Sequence, residues 1–280
     1  MPRVTTPAGV EIHYETGGAG PPLLLISGTG HDHTFWSNQL PALSPHYTCT
    51  VFDNRGVGQS SVPPTGYTLA DMAGDALAVL DATAGDRVGS STADSTAHIM
   101  GFSMGGHIAQ ELALAHPDRV RSLGLHHTWT KPCPHLVAFQ TARRVMASVG
   151  DMRSLAEYSV IGLHAHPYYD EHAADIEAKK RWIIENSGPA AGWLGQLDAC
   201  IVGDTSERLS AIRVPTLVTA SDLDILAHPH HAQEIHHRIT GSQLVILQGN
   251  GHVSLIEDPD TFADLCLSFL QKQNSDLPSK

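Results

Sequence analysis

The stretch of the chain with the clearest chemistry is Gly101-Phe-Ser-Met-Gly105. An apolar run, Ala97-His-Ile-Met100, leads into it, and apolar residues then recur at helical spacing as Ile108, Leu112 and Ala115. That pattern predicts a buried strand, a sharp turn and a helix. A serine at such a turn is held in strained backbone geometry, and its hydroxyl projects clear of both elements. Gly101 and Gly105 permit the turn because neither carries a β-carbon to meet the neighbouring strand or helix. Ser103 also opens a helix, where free backbone N–H groups favour developing negative charge. The chemistry predicted is that of an activated nucleophile beside half an oxyanion hole.

The flanking elements follow from the hydrophobic pattern. Val10–Glu15 alternates as a half-solvated antiparallel strand does, whereas Leu23–Ile26 is continuously apolar, as a strand covered on both faces must be. It runs into Ser27-Gly28-Thr29-Gly30, a glycine loop that can turn the Thr29 N–H toward a pocket. A helix is expected over Thr34–Leu43, a strand over Tyr47–Phe52, and a tight loop over Asp53–Ser60 in which Asp53 and Arg55 form a charge-assisted pair. Thr68 is an N-cap with Asp71 in the capping-box position for a helix to Ala82. Residues 85–96 are small and polar and read as a surface excursion. From 130 to 210 strands disappear and amphipathic helical segments replace them, which predicts a helical cap (130–210) inserted into a core made of 1–129 and 211–280. Strands resume at Val214–Ala220 and Gln243–Leu247, with helices expected at Pro229–Ile239 and Pro259–Leu270. Alternating strands and helices predict an α/β fold with a mostly parallel, doubly wound sheet. Reactive groups in such sheets sit at the carboxyl ends of strands, and Thr29, Ser103, Asp224 and His252 each follow directly on one.

Composition narrows the function classes. Seventeen Lys and Arg against 29 Asp and Glu give a net charge of −12, a balance that repels phosphate backbones and anionic membranes. Neither nucleic acid nor membrane is expected as a partner. No run of 18 apolar residues occurs, and the first residues lack an apolar signal-like segment, so a cytoplasmic protein is expected. The four cysteines are isolated and read as small buried hydrophobes. With 19 histidines in the chain, the cluster His228, His230, His231, His236 and His237 reads as solvated or partly buried side chains, because no H-E-x-x-H pattern accompanies it.

Taken with its flanks, the chain resembles the α/β-hydrolase superfamily along nearly its whole length. The family's oxyanion loop looks like Ser27-Gly-Thr-Gly30, its D-x-R-G-x-G-x-S block stands as Asp53–Ser60, its nucleophile elbow as Gly101–Gly105, and its terminal Gly-His as Gly251-His252. Among its members, small bacterial esterases and lactonases look nearest, including the aminoacrylate and carbamate hydrolases of pyrimidine breakdown. The resemblance implies a triad of Ser103, Asp224 and His252, with Asp222 as the rival acid. It also implies an oxyanion hole formed by the backbone N–H groups of Thr29 and Met104. It departs from the common pattern at Ser27, where most members have His, and at Ser221, where they have Gly. Gly28, His127 and Trp129 are expected to line the substrate pocket. The function implied is hydrolysis of a small carboxylic ester or lactone, with no metal and no organic cofactor. A C–C bond hydrolase using the same residues and a non-catalytic ligand-binding relative are the alternatives.

Overall fold

A computed structural model describes residues 2–85, 96–186 and 188–275. Eight strands form one sheet: β1 (Arg3–Thr5), β2 (Glu11–Gly18), β3 (Pro22–Ile26), β4 (Thr48–Phe52), β5 (Ala97–Phe102), β6 (Val120–His126), β7 (Thr216–Ser221) and β8 (Gln243–Leu247). Their order is β1-β2-β4-β3-β5-β6-β7-β8; the β1–β2 and β2–β4 pairs are antiparallel and the other pairs are parallel. β3, β5 and β7 are buried along their entire length, and β3 accordingly reads as an unbroken apolar run.

The helices are α1 (Leu40–Leu43), α2 (Leu69–Gly85), α3 (Met104–Ala115), α4 (Pro134–Ser148), α5 (Met152–Leu163), α6 (His166–Glu171), α7 (Ala173–Asn186), α8 (Ala190–Val202), α9 (Pro229–Arg238), α10 (Ser254–Glu257) and α11 (Pro259–Ser275). Five of them, α4 to α8, lie in sequence between β6 and β7 with no strand among them. The predicted capping box is present: Thr68 N donates to Asp71 Oδ2 at 2.7 Å and Asp71 N to Thr68 Oγ1 at 3.1 Å. No helix among the described residues is long and apolar enough to cross a membrane. The small polar stretch at 86–95 lies outside the described residues.

Two local expectations are corrected. The single helix expected over Thr34–Leu43 is instead a 3-10 turn at His33–Trp36, capped by Asp32, followed by the short α1. Pro41 has no N–H to continue the ladder, and its ring clashes with the preceding turn. Nor do Asp53 and Arg55 pair with each other. Arg55 instead grips Asp75 on α2 with two bonds of 2.6 and 2.7 Å, while Asp53 accepts from the His33 and Gln59 amides.

Candidate active site

Ser103 sits between β5 and α3 with φ +56° and ψ −119°, a left-handed conformation in a residue other than glycine. Strain of this kind costs on the order of 1–3 kcal/mol and persists where the surroundings enforce it. The surroundings are tight: a β-carbon on Gly101 would overlap the Gly105 carbonyl, and one on Gly105 would overlap the Ile26 carbonyl of β3. The Ser103 amide donates to His126 O at 2.8 Å, which ties the turn to β6.

A chain of hydrogen bonds starts at the hydroxyl. Ser103 Oγ lies 2.9 Å from His252 Nε2, and His252 Nδ1 lies 2.7 Å from Asp224 Oδ2. Asp224 Oδ1 accepts from the Leu226 and Ala227 amides, each at 2.8 Å. All three side chains are nearly or fully buried. Burial by itself would raise the Asp224 carboxyl; facing His252 and His127 with these hydrogen bonds, it is held well below the usual carboxylate range. An ionised Asp224 fixes the proton of His252 on Nδ1 and leaves the Nε2 lone pair for the serine hydroxyl.

Asp222, the rival acid, points elsewhere: its Oδ1 accepts from the exposed Gly249 amide at 2.7 Å. The glycine before His252 has a packing reason. A β-carbon on Gly251 would overlap the Ala165 amide, and Glu257 ties the two segments by accepting from Gly251 N at 2.6 Å and Ala165 N at 2.9 Å.

The Thr29 and Met104 amides face no acceptor among the described residues, and Thr29 and Ser103 line one small pocket. Gly28 shares that lining, and a β-carbon there would come within 3.2 Å of Ser103 Cβ. The loop is held from above by α8: the Gly30 amide donates to Gln196 Oε1 at 2.8 Å, and the Trp193 ring covers Gly30 where a β-carbon would stand. Gln196 Nε2 also donates to Arg55 O at 2.9 Å. The pocket holds about 10 Å³, room for a single water. A cavity of about 420 Å³ shares Phe35 with it, and another of about 750 Å³ is lined in part by Asp224; Ser103 lines neither.

His127 and Trp129 do not line this pocket. Both are fully buried, and the expected substrate contact gives way to structural packing. His127 has φ +50°, which turns its ring behind the site. There it stacks on Phe102, places Nδ1 at 3.3 Å from Asp224 Oδ2 and Nε2 at 2.8 Å from Ser254 Oγ. Burial, opposed by the Asp224 carboxylate, lowers its pKa, so it stands as a neutral second donor to the acid. The Trp129 carbonyl accepts from Gln110 Nε2.

Sequence reasoning missed Arg143 on α4, which lines the pocket with Ser103. Its signal was present: Leu136, Gln140, Arg143 and Ala147 fall on one buried helical stripe, so a cation occupies a position where the periodicity calls for an apolar residue. Among the described residues, three clusters bring possible metal-ligating atoms within 4.8 Å of one another: Cys133, His230 and His231; His13, Glu15 and His33; and His127, Asp224 and His252. The last is already committed to the hydrogen bonds above.

Known proteins bear on this geometry. The family model for the alpha/beta hydrolase fold matches residues 21–174. A Variovorax paradoxus protein named "Putative carbamate hydrolase RutD" is 31% identical, covering 93% of this chain and 96% of its own. A hydrolase from Pseudomonas aeruginosa superposes with TM-score 0.85 at 32% identity, covering 96% of this chain and 97% of that one. The enol-lactonase of Burkholderia xenovorans superposes with TM-score 0.85 at 26% identity, over 96% of this chain and 100% of that one. With a strand order, an elbow and a Ser–His–Asp alignment of this kind, and with these relatives spanning almost its full length, the chain is a hydrolase belonging to the α/β hydrolase fold family.

Proposed function

We propose that the chain is a serine hydrolase that cleaves a small carboxylic ester or lactone through an acyl-enzyme on Ser103. The single observation carrying this reading is the pair of contacts made by His252, 2.9 Å to Ser103 Oγ and 2.7 Å to Asp224 Oδ2. His252 takes the hydroxyl proton as Ser103 attacks the acyl carbon, then returns it to the departing alkoxide. Asp224 keeps the imidazole in its reactive tautomer and stabilises the imidazolium. The amides of Thr29 and Met104 receive the tetrahedral oxyanion; one such donor lowers the barrier by about 3–4 kcal/mol. Water, deprotonated by the same histidine, then releases the acid.

The chain is expected to hydrolyse p-nitrophenyl acetate, butyrate or octanoate, and Ser103→Ala removes that activity while leaving the circular dichroism spectrum in place. A folded Ser103→Ala protein with full activity overturns the assignment.

A further inference from the structure

The pocket around Ser103 holds one cation and no acid. None of its lining residues is Asp or Glu, and the cation is the guanidinium of Arg143, whose residue is 3% exposed. Arg143 has no carboxylate partner among the described residues. Its Nε donates to Ser159 Oγ at 3.1 Å and its Nη1 to Gln140 Oε1 at 3.0 Å, both neutral acceptors. Its plane also lies over the Trp193 ring at 4.9 Å and the Phe139 ring at 5.9 Å. Nη2 has no acceptor among the described residues.

Other side chains leave that charge unanswered. His31, the remaining titratable group on the wall besides His252, is held well below its usual value, by burial first and then by facing Lys179 and Arg143. It is therefore neutral. Burial pushes the Arg143 guanidinium down only to about 10, which keeps it cationic at neutral pH. Lys179 and Asp175, one helical turn apart on α7, both line the adjoining cavity of about 420 Å³. In a chain of net charge −12, the position beside the nucleophile is thus reserved for a fixed cation. A buried charge without a partner is unfavourable in a folded protein unless a ligand completes it. The planar fork of a guanidinium matches a carboxylate in particular.

Building on the serine-hydrolase reading, we infer that the substrate carries a carboxylate a few bonds from its scissile carbonyl, and that Arg143 binds that carboxylate. The residue is a specificity determinant: it holds the anion so that the carbonyl lies against Ser103 and the two loop amides. Ser159 and Gln140 set the orientation of the guanidinium, and the two aromatic rings keep water from its faces.

The test compares monomethyl malonate, succinate and glutarate with methyl propanoate, butyrate and pentanoate, following acid release, in wild type, Arg143→Gln and Arg143→Lys. Isothermal titration of succinate into wild type and Arg143→Gln runs alongside. The expected result is a wild-type kcat/KM at least tenfold higher for the best anion than for its neutral counterpart. Arg143→Gln then lowers that ratio by about 10- to 100-fold, the usual weight of a charge-assisted bond, and Arg143→Lys restores part of it. Equal ratios in wild type and Arg143→Gln overturn the inference, while continued ester cleavage leaves the Ser103 reading standing. If wild type cleaves no ester, the Ser103 reading falls and the titration decides: succinate binding lost in Arg143→Gln upholds the anion site, and no binding to wild type overturns it. Should Arg143→Gln not fold, a wild-type ratio near one, or an unaltered ratio in Arg143→Lys, overturns it equally.

Discussion

Replacing Asp224 by Asn tests the proposed chemistry most sharply, because the substitution changes one proton position and almost no shape. In the folded chain Oδ1 accepts from the Leu226 and Ala227 amides, and Oδ2 accepts from Nδ1 of both His252 and His127. An asparagine satisfies the two amides only by putting its oxygen where Oδ1 stood. Its NH2 group then faces both imidazoles and can only donate. His252 must accept at Nδ1, which moves its proton to Nε2, the atom 2.9 Å from Ser103 Oγ. It can no longer take the serine proton. His127 adapts without penalty, since a proton on its Nε2 can be donated to Ser254 Oγ. The expected outcome is a folded protein whose kcat falls by about 10⁴-fold, equivalent to roughly 5 kcal/mol of barrier. Asp222→Asn keeps its acceptor for Gly249 and changes kcat by no more than about twofold. The assay is p-nitrophenyl acetate hydrolysis with burst titration of active sites. An Asp224→Asn enzyme within tenfold of wild type refutes the reasoning, and a loss confined to Asp222→Asn transfers the acid role.

Two further outcomes follow from buried charge. His107 and His126 are lowered to about 3, each by burial first, so both stay neutral in the fold where an unfolded histidine titrates near 6.5. The unfolded chain takes up protons that the fold refuses, so their contribution to stability is complete above pH 6.5 and declines as pH falls toward 3. At pH 5.5 each costs about 1.4 kcal/mol, and His107→Gln should shrink the difference in urea midpoint between pH 7.5 and 5.5 accordingly; an unchanged difference refutes this. Arg55→Ala leaves the Asp75 carboxylate, 2% exposed, without its cation and should cost about 3–5 kcal/mol by urea unfolding, while the apolar pair Arg55→Met with Asp75→Leu recovers most of it.

How much of this could be read before the fold was known depends on how local each signal is. Ser103 was legible because its turn dictates glycines two residues to either side. His252 was legible through Gly251, whose missing β-carbon makes room for Ala165. β3 announced itself as an apolar run because both its faces are covered, and β2 as an alternating one because one face is partly solvated. His127 was misjudged because position after a strand end does not give side-chain direction; its φ of +50° turns the ring toward the acid and away from the pocket. Arg55 was given the nearer partner, but Asp75 is one helix away in space and twenty residues away in sequence. Arg143 was passed over because a cation on an apolar stripe becomes meaningful only once Ser103 is seen on the same wall.

The hold of α8 on the core has a consequence for how such proteins can be recombined. Gln196 supplies the acceptor for the Gly30 amide and a donor for the Arg55 carbonyl, Trp193 fills the space above Gly30, and a β-carbon on Gly192 would overlap Gly56. A chimaera that exchanges everything from 130 to 210 replaces the keystone of its own Ser27–Gly30 loop with a foreign one. Moving the splice to the α7–α8 junction, so that 134–186 travels and α8 stays, exchanges Arg143 and the pocket roof while the loop keeps its native support. The unit that can be exchanged without disturbing that loop is therefore shorter than the stretch of helices between β6 and β7.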